Sequence, residues 1–341
     1  MRKLAQVQQI AEIKPISGAD AIELAQILGW QCVVKKSEFK PGDFCVYFEV
    51  DSFLPIEERY EFLRKNSYRK NELLGEGFRI KTMTLRGEIS QGLVLPLGQF
   101  PNITNKEVGS DVTELLGVRK WELPEQAMSD GTAIGEKPYG IPTTDETRIQ
   151  SAPELLAEFD GKPYYISTKM DGTSCTVYVK DGKVGVCGRN YEYKDDEKCS
   201  MWKWVHDRKL MDKLMKLGQN IAIQGEFCGA GIQKNRLKLQ KPELFVFTIL
   251  ILGDDNKTAR VSLDEMRDFC KRLDLTTVPI EEEGDSFKYS LSELLERAKG
   301  KYASGMDKEG IVIRTVIPGR LGYQALSFKV INNDFLKKEK D

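Results

Sequence analysis

The feature that most restricts the fold of this chain is its succession of short apolar segments interrupted by turn residues. The clearest case joins residues 173–180 to residues 183–187 through Asp181-Gly182. An Asp-Gly pair between two such segments is a strong local signal for a β-hairpin. A two-residue turn can join only antiparallel strands, so repetition of this pattern predicts antiparallel sheets.

The first 120 residues contain several of these segments. Candidate strands are residues 22–28, 30–36, 44–50, 79–85 and 92–97. Pro41-Gly42-Asp43 marks a turn between the second and the third. About five short strands in this length predict a small β-barrel of the OB type, and a Greek-key sandwich is the alternative.

The pattern changes after residue 120. Residues 121–142 lack periodicity and are rich in Gly and Pro, which predicts a linker. Beyond residue 142, strands mix with helices, including a helical segment at 199–217 and two helices that begin at the capping-box residues Ser262 and Ser290.

These observations predict an α+β protein of two domains. Residues 1–120 form an OB-type β-barrel, residues 121–142 a linker, and residues 143–341 a domain of antiparallel sheets flanked by helices.

The composition excludes several classes of protein. The chain has one histidine and seven cysteines, none of them in a CxxC pair, which argues against a structural zinc site and a disulfide framework. A net charge of −1 leaves only local patches for binding nucleic acid. The longest apolar run, residues 244–252, is too short to cross a bilayer, and no secretory signal is seen. We expect a monomer in the cytoplasm or another reducing compartment, with no membrane partner.

One segment carries candidate chemistry, the sequence Lys-Met-Asp-Gly at positions 169–172. Lys169 is predicted at the end of a strand, and Gly172 lets the chain turn into the next strand. A lysine that enters a cleft from a strand end is a candidate amine nucleophile. Taken alone, these four positions also fit a surface hairpin turn.

Further elements follow the lysine in a fixed order. They are QGEF at 224–227, EGIVIR at 309–314 and SFK at 327–329, with TDETRIQ at 144–150 upstream and CGRN at 187–190 after the hairpin. This order resembles that of the covalent nucleotidyltransferase superfamily, which includes ATP-dependent DNA and RNA ligases and mRNA capping enzymes. Within it, the chain resembles nick-sealing RNA ligases, which have an N-terminal OB domain and a C-terminal nucleotidyltransferase domain.

The resemblance implies a three-step reaction. Lys169 attacks the α-phosphorus of ATP and releases pyrophosphate, AMP then moves to the 5′-phosphate of an RNA end, and the neighbouring 3′-hydroxyl displaces AMP and seals the nick in duplex RNA. An ordinary lysine is protonated at pH 7 and cannot attack. We therefore expect the amine to be uncharged, with the help of Mg²⁺ or Mn²⁺.

Three carboxylates are candidate metal ligands: Asp171, Glu226 and Glu309. Each stands next to a glycine, which we expect to open space for the ligand. The resemblance implies that Glu226 reads the ribose and that Glu309 supports the metal. Without the order of the motifs, acidic residues beside glycine would be ordinary turn residues.

The other nucleotide contacts follow from the same resemblance. Lys329 matches a lysine that contacts the α-phosphate, but Ser327 breaks the family's K-x-K pattern, and Arg148 and Arg189 are the candidates to supply the missing charge. Thr168, directly before the nucleophile, is predicted to bind the nucleotide as well.

The adenine base needs a flat, apolar binding pocket. The resemblance implies that Phe247, or Phe245 on the same strand face, stacks on the base and that Val312 covers its other side. The alternative is that these side chains are ordinary core residues, since aromatic side chains on buried strands usually pack together.

Two basic stretches are candidate RNA contacts. One places Tyr68 among four positive charges, and the other follows Glu226. Their predicted contact residues are Arg64, Lys65, Tyr68, Arg69, Lys70, Lys234 and Arg236. Backbone phosphates attract such charges and a tyrosine can stack on a base, but a run of charges is also typical of a solvated surface.

Three other functions share parts of this pattern. A capping guanylyltransferase uses the same lysine chemistry, but its OB domain normally follows the catalytic domain. A DNA ligase differs in the sugar it accepts, which the sequence does not define. A non-catalytic RNA-binding OB protein would need the second domain to have lost its activity, and the complete set of Lys169, its three acidic partners and Lys329 argues against that.

Overall fold

The computed structural model describes residues 2–121, 132–253, 258–316 and 326–338. The chain divides into two compact units. The first is Met1–Pro124 with Gln150–Pro153 and Leu336–Asp341, and the second is Glu125–Ile149 with Glu154–Phe335.

The first unit consists mainly of short antiparallel strands. Its described strands are β1 (Ala5–Gln9), β2 (Glu12–Pro15), β3 (Ile22–Ile27), β4 (Trp30–Lys35), β5 (Phe44–Phe48), β6 (Ser52–Leu54), β7 (Tyr68–Asn71), β8 (Gly75–Arg79), β9 (Thr82–Leu85), β10 (Glu88–Gln91), β11 (Leu93–Pro96) and β12 (Arg119–Lys120). They form four small sheets, in the orders β1-β5-β11, β2-β3-β4, β9-β10 and β12-β6-β8-β7.

Strand alternation places the apolar side chains of this unit in its interior. Val7, Val46, Phe48 and Phe78 are among those buried in one cluster. The predicted strands correspond to β3, β4, β5 and β11, but the prediction at 79–85 is wrong, because β8 ends at Arg79 and a separate strand, β9, follows. Short helical segments lie at Glu58–Leu63 and Leu97–Gln99 (3-10) and at Arg64–Ser67 (α1).

The second unit contains two antiparallel sheets. Its described strands are β13 (Ala133–Glu136), β14 (Tyr164–Lys169), β15 (Thr173–Lys180), β16 (Lys183–Cys187), β17 (Tyr191–Tyr193), β18 (Ile221–Cys228), β19 (Glu243–Leu252), β20 (Thr258–Arg260), β21 (Thr276–Thr277), β22 (Ile280–Gly284), β23 (Gly310–Thr315) and β24 (Ser327–Ile331). The larger sheet has the order β13-β17-β16-β15-β18-β19-β20, with β21 beside β19, and the smaller sheet has the order β22-β14-β23-β24.

Helices cover these sheets. The described ones are a 3-10 turn at Ile149–Ser151, α2 (Leu155–Phe159), α3 (Ser200–Asp207), α4 (Leu210–Met215), α5 (Leu263–Leu273), α6 (Leu291–Arg297) and α7 (Asn333–Lys338). Both predicted capping boxes are confirmed, at Ser262 before α5 and at Ser290 before α6. The single helix predicted at 199–217 is wrong, because Lys209, with a left-handed φ of 49°, separates α3 from α4.

Each sheet buries one face in an apolar core. In the smaller sheet, Ile166, Ile311, Ile313 and Phe328 pack into one cluster. The larger sheet buries residues such as Val177, Ile223 and Val246 against side chains of α3, α4 and α5. Because successive side chains of a strand point to opposite faces, the remaining face of each sheet is available for polar residues.

The predicted linker is only partly described. Residues 122–131 lie outside the described residues, and Ala133–Glu136 form β13, which pairs with β17 at the edge of the larger sheet. That part of the segment therefore belongs to the second unit. All seven cysteines are buried thiols, outside any disulfide bond. Within the described residues, no helix is both long enough and apolar enough to span a membrane.

Candidate active site

Strand register gathers the predicted residues of the smaller sheet on its polar face. Lys169 at the end of β14 is opposite Gly310 of β23, and Ser167 is opposite Val312. Val312 is in turn opposite Lys329 of β24. Since all of these pairs are in register, Lys169, Val312 and Lys329 share one face of the sheet.

Glu309, directly before β23, and Glu226, on β18, both approach Lys169. The Lys169 ammonium forms an ion pair with Glu309, with 2.5 Å between Nζ and Oε2, and about a fifth of each side chain is exposed. Glu226 lies on β18 opposite Ser174, and its charge acts on Lys169. The structure therefore brings the predicted nucleophile and two of the predicted carboxylates together.

The charge of Lys169 differs from the sequence-based expectation. Burial lowers its pKa, but the charges of Glu309, Glu226 and Asp171 and the hydrogen bond to Glu309 raise it, and the net result is a raised pKa. Without a metal ion, the three carboxylates therefore stabilise the ammonium form, and the uncharged amine expected with the help of Mg²⁺ or Mn²⁺ stays a prediction.

The pKa of Glu226 is also raised, but in a carboxyl group this shift favours the uncharged form. Burial raises its pKa, the charge of Lys169 lowers it, and the nearby carboxylates of Glu309 and Asp171 raise it further, to about 8. The backbone N–H of Gly172 donates to this carboxyl group and lowers its pKa only in part. The cluster thus places three carboxyl groups close to one lysine.

The glycines beside these carboxylates allow neighbouring strands to pack closely against them. A side chain on Gly172 would lie 2.5 Å from the carbonyl oxygen of Phe227, and one on Gly225 would lie 2.6 Å from that of Phe245. At Gly310 the distance to the carbonyl oxygen of Val330 is 2.1 Å. The expectation that these glycines open space for a ligand is therefore wrong, because in each case a neighbouring strand occupies the space.

Asp171 forms an ion pair with Arg236, a residue predicted from the sequence to bind RNA. Its Oδ2 lies 2.8 Å from Nε of Arg236, and that arginine is buried, with 6% of its surface exposed. The Arg236 guanidinium lies 4.2 Å from the ring centre of Phe335. The prediction that Arg236 contacts RNA from an exposed patch is contradicted by this burial, because its charge is used by Asp171.

Lys329 and Arg148 lie side by side. Residue 148 forms an isolated parallel bridge with residue 329, and the Lys329 N–H donates to the Thr147 carbonyl oxygen at 2.8 Å. Burial, together with the positive charges of Lys169 and Arg148, lowers the pKa of Lys329 to about 7. Arg189 lies nearby in an ion pair with Asp145. These cations form a region that favours a bound anion.

Ser327 and Glu146 explain the departure from the K-x-K pattern. The Ser327 hydroxyl donates to Oε2 of Glu146, whose Oε1 accepts hydrogen bonds from the Arg314 guanidinium at 2.7 and 3.2 Å. Sequence reasoning missed Glu146, although it lies two residues before the assigned residue Arg148 in the upstream motif. This carboxylate ties that motif to β23 and β24.

The candidate adenine residues lie on the polar faces of both sheets. Phe245 is opposite Glu226 in the register of β18 and β19, and Phe247 is half-buried two residues further along. The Arg314 guanidinium lies 5.4 Å from the ring centre of Phe247. Val312 is buried on the facing sheet.

Thr168 points away from this region. Its hydroxyl donates to Glu281 at 2.7 Å, and Glu281 also pairs with Lys308. Lys169 and Thr168 are consecutive residues of β14, so their side chains lie on opposite faces. Only the backbone of Thr168 remains on the side of the proposed nucleotide.

The two basic stretches differ in exposure. Arg64, Lys65 and Lys70 are exposed in the first unit, where Arg64 pairs with Glu61 and Lys70 with Glu76. The Tyr68 ring contacts Phe78 and the Arg64 guanidinium, and Arg69 donates to the carbonyl oxygen of Tyr68. In the second unit, Lys234 is exposed while Arg236 is buried.

The described residues contain no group of three or more His, Cys, Asp and Glu side chains placed to hold a metal ion directly. Asp171, Glu226 and Glu309 therefore do not form a closed three-ligand site. A hydrated ion fits this arrangement better, because Mg²⁺ keeps several of its waters and needs few direct carboxylates.

Comparison with known proteins defines the class to which this fold and site belong. A family model for RNA ligase matches residues 162–331, and one for an OB-fold domain matches residues 4–97. A search of curated protein sequences finds no similar protein.

Solved structures of Naegleria gruberi RNA ligase resemble the whole chain. One with pyrophosphate is 37% identical with a TM-score of 0.88, and a mutant with AMP and Mn is 36% identical with a TM-score of 0.90; both cover 100% of each chain. A mutant with ATP and Mn is 36% identical, with a TM-score of 0.89 over 99% of each chain. The chain therefore belongs to the RNA ligase family. The predicted family, the predicted α+β fold with an OB-type domain and the predicted enzyme class, an ATP-dependent RNA ligase, are confirmed.

Proposed function

We propose that this RNA ligase seals nicks in duplex RNA through a covalent lysyl-AMP intermediate on Lys169, with ATP and Mg²⁺ or Mn²⁺ as cofactors. The observation that carries the proposal is the position of the Lys169 amine, which lies at a strand end among Glu309, Glu226 and Asp171 and on one sheet face with Lys329. The ATP, AMP and Mn bound in the Naegleria structures support the choice of cofactors.

The first step would form a P–N bond at the α-phosphorus of ATP. The ammonium of Lys169 first loses a proton, the amine lone pair then attacks phosphorus, and the bond to the bridging oxygen breaks as pyrophosphate leaves. Glu309, 2.5 Å from the amine, is placed to hold that proton at its Oε2. Lys329 and Arg148, which lie side by side, would balance the negative charge of the α-phosphate.

The acidic groups fit a divalent cation on the evidence of their own electrostatics. The pKa of Glu226 is raised to about 8, by burial first and then by the charges of Glu309 and Asp171, so three carboxyl groups lie close enough to affect one another. A bound Mg²⁺ or Mn²⁺ would neutralise these carboxylates and favour the uncharged amine. Glu309 and Asp171 would hold it, and Arg236 would keep Asp171 in place.

The adenosine would lie between the two sheets. Phe247 or Phe245 is placed to stack on adenine, with Val312 on the opposite side, and Glu226 is placed to accept from a ribose hydroxyl. The roles of Arg189 and of the Thr168 backbone belong to the same proposal.

The AMP would then pass to an RNA 5′-phosphate, and a 3′-hydroxyl would displace it. The exposed cations Arg64, Lys65 and Lys70 of the first unit and Lys234 of the second are the candidate contacts to the RNA backbone. In this proposal Arg236 leaves the set of RNA contacts.

The test is mass spectrometry of the purified protein after incubation with ATP and Mg²⁺. We expect one added AMP on the peptide that contains Lys169, none in Lys169→Ala, and normal labelling of Lys183→Ala, which changes an exposed lysine in β16. AMP retained by the Lys169→Ala variant would show that the nucleophile is another residue.

The substrate is tested separately with a nicked RNA duplex, the same nick with deoxyribose at the 3′-hydroxyl, and single-stranded RNA. We expect the RNA nick to be sealed fastest. Faster sealing of the deoxyribose nick would indicate a DNA ligase, and covalent labelling by GTP but not ATP would indicate capping chemistry.

A further inference from the structure

The ladder between β14 and β23 ends at the reactive positions. Lys169 and Gly310 are its last pair, and Glu309 lies just outside it. At this end, the Tyr302 hydroxyl lies between the two strands. It donates to the Lys169 carbonyl oxygen at 2.7 Å and accepts from the Glu309 N–H at 3.0 Å. One side chain thus continues the hydrogen bonding where the backbone pairs stop.

A tight hairpin presents this tyrosine. Residues 301 and 307 form an antiparallel bridge, the Tyr302 N–H donates to the Met306 carbonyl oxygen at 2.8 Å, and the Gly305 N–H donates to the Tyr302 carbonyl oxygen at 2.9 Å. Gly305 has a φ of +82°, the left-handed region that glycine adopts without cost. The hydrogen bonds of the hairpin therefore fix the position of the Tyr302 backbone, from which the side chain reaches the site.

The tyrosine side chain is itself firmly packed. It is 8% exposed and belongs to a buried apolar cluster with Met170, Cys228 and Val278. Burial raises the pKa of Tyr302, so the hydroxyl keeps its proton and remains available as a donor. A phenol has one donor and can also accept, and both capacities are used here, one on each strand.

We propose that Tyr302 is a positioning residue that sets the distance between the Lys169 amine and the Glu309 carboxylate. This inference rests on the proposed function, because it concerns the geometry of the proposed nucleophile. The Tyr302 hydroxyl bonds to the backbones of the two residues and acts through them. Displacing a reacting group by about 1 Å can cost roughly 100-fold in rate.

The experiment compares AMP transfer to Lys169 in the full-length wild type and in Tyr302→Phe, which keeps the ring and removes only the hydroxyl. At saturating ATP, we expect the single-turnover rate of Tyr302→Phe to fall roughly 10- to 100-fold. The ATP concentration for half-saturation should change less than about twofold, because the proposed nucleotide contacts stay in place.

The matched control is Tyr178→Phe. Tyr178 is a buried tyrosine in the same unit whose hydroxyl donates to Glu192 at 2.7 Å, and it lies four residues along β15 from the position opposite Glu226. We expect its melting temperature to fall as in Tyr302→Phe while its rate stays unchanged. A full rate in folded Tyr302→Phe, or an equal loss of rate in both variants, would overturn the proposal.

A second pair of variants covers the case in which Tyr302→Phe does not fold. Gly305→Ala strains the hairpin without touching the hydroxyl, and Gly182→Ala, with a φ of +75°, strains the turn between β15 and β16 in the same way; neither added methyl group meets another atom within 4 Å. We expect only Gly305→Ala to slow AMP transfer, and a wild-type rate for it would overturn the proposal. A wild type that forms no lysyl-AMP would instead refute the proposed function.

Discussion

Glu146 and Glu226 are two glutamates of the same unit, yet the acidity of their carboxyl groups is shifted in opposite directions. Burial raises the pKa of both. At Glu146 the charges of Arg314 and Arg260 outweigh burial, and the pKa is lowered. At Glu226 the carboxylates of Glu309 and Asp171 add to burial, and the pKa rises to about 8.

The difference separates a structural ion cluster from a reactive one. The cluster of Glu146, Arg314 and Ser327 satisfies its carboxylate fully and fixes the upstream motif to two strands. The cluster around Lys169 brings three carboxyl groups together, and the raised pKa of Glu226 means that ionising all three is unfavourable there without a cation. A site that lowers the stability of the folded protein in this way is better explained by a functional role than by packing.

The largest effect should follow from replacing the carboxyl group of Glu226. We expect Glu226→Gln to slow AMP transfer about 100-fold or more, because the ribose contact proposed for this carboxyl group is altered. The melting temperature in EDTA should not fall. A Glu226→Gln variant with normal AMP transfer would remove Glu226 from the proposed site.

The stability of Glu226→Gln should also depend on pH differently from that of the wild type. Because the folded-state pKa of Glu226 is raised above its value of 4.5 in the unfolded chain, folding binds a proton between about pH 4.5 and 8, and stability is lost as pH rises through that range. Glu226→Gln lacks this loss. Its stability relative to the wild type should therefore increase from pH 5 to pH 8 in metal-free buffer, as measured by urea unfolding.

Glu146→Gln should give the opposite result. Removing this charge leaves Arg314, which is 2% exposed, without its anionic partner. Breaking a buried ion pair typically costs about 3 kcal/mol. We expect the free energy of unfolding to fall by about that amount at pH 7, while Glu296→Gln, at the exposed pair with Lys299, changes it by less than about 0.5 kcal/mol. Equal stability of the two variants would contradict the structural role of Glu146.

Lys329 should produce a smaller effect that depends on pH. Its folded-state pKa of about 7 lies below its ordinary value of 10.5, so the unfolded chain binds more protons between these pH values and stability rises with pH across them. We expect the stability of Lys329→Met relative to the wild type, measured by urea unfolding, to be greatest near pH 7 and to fall steadily as pH rises to about 10.5. A constant difference across this range would show that the pKa of Lys329 is not lowered.

The sequence predicts correctly those features that depend only on neighbouring residues. The turn at Asp181-Gly182 and the capping boxes at Ser262 and Ser290 depend on neighbouring residues, and the structure has each of them. The position of Lys169 at a strand end could also be predicted, because strand alternation and the following glycine lie within a few residues of it.

The partners of the site could not be predicted in this way. Tyr302 binds a backbone oxygen 133 positions away, and Glu146 binds an arginine 168 positions away. The burial of Arg236 depends on Asp171 and Phe335, which are also distant in the chain. The sequence around each of these residues resembles that of an ordinary loop, so only the packed structure reveals their roles.

The smallest effect should come from Ser327, at the position where the K-x-K pattern has lysine. Its hydroxyl donates to Glu146, so Ser327→Ala should lose one hydrogen bond, about 1 kcal/mol of stability, with no change in AMP transfer. Ser292→Ala, which removes an exposed hydroxyl beside Ser290, is the control and should change neither quantity. If Ser327→Ala instead slowed AMP transfer at unchanged stability, Ser327 would contact the nucleotide. The two glutamates would then belong to one site rather than to a structural and a reactive cluster.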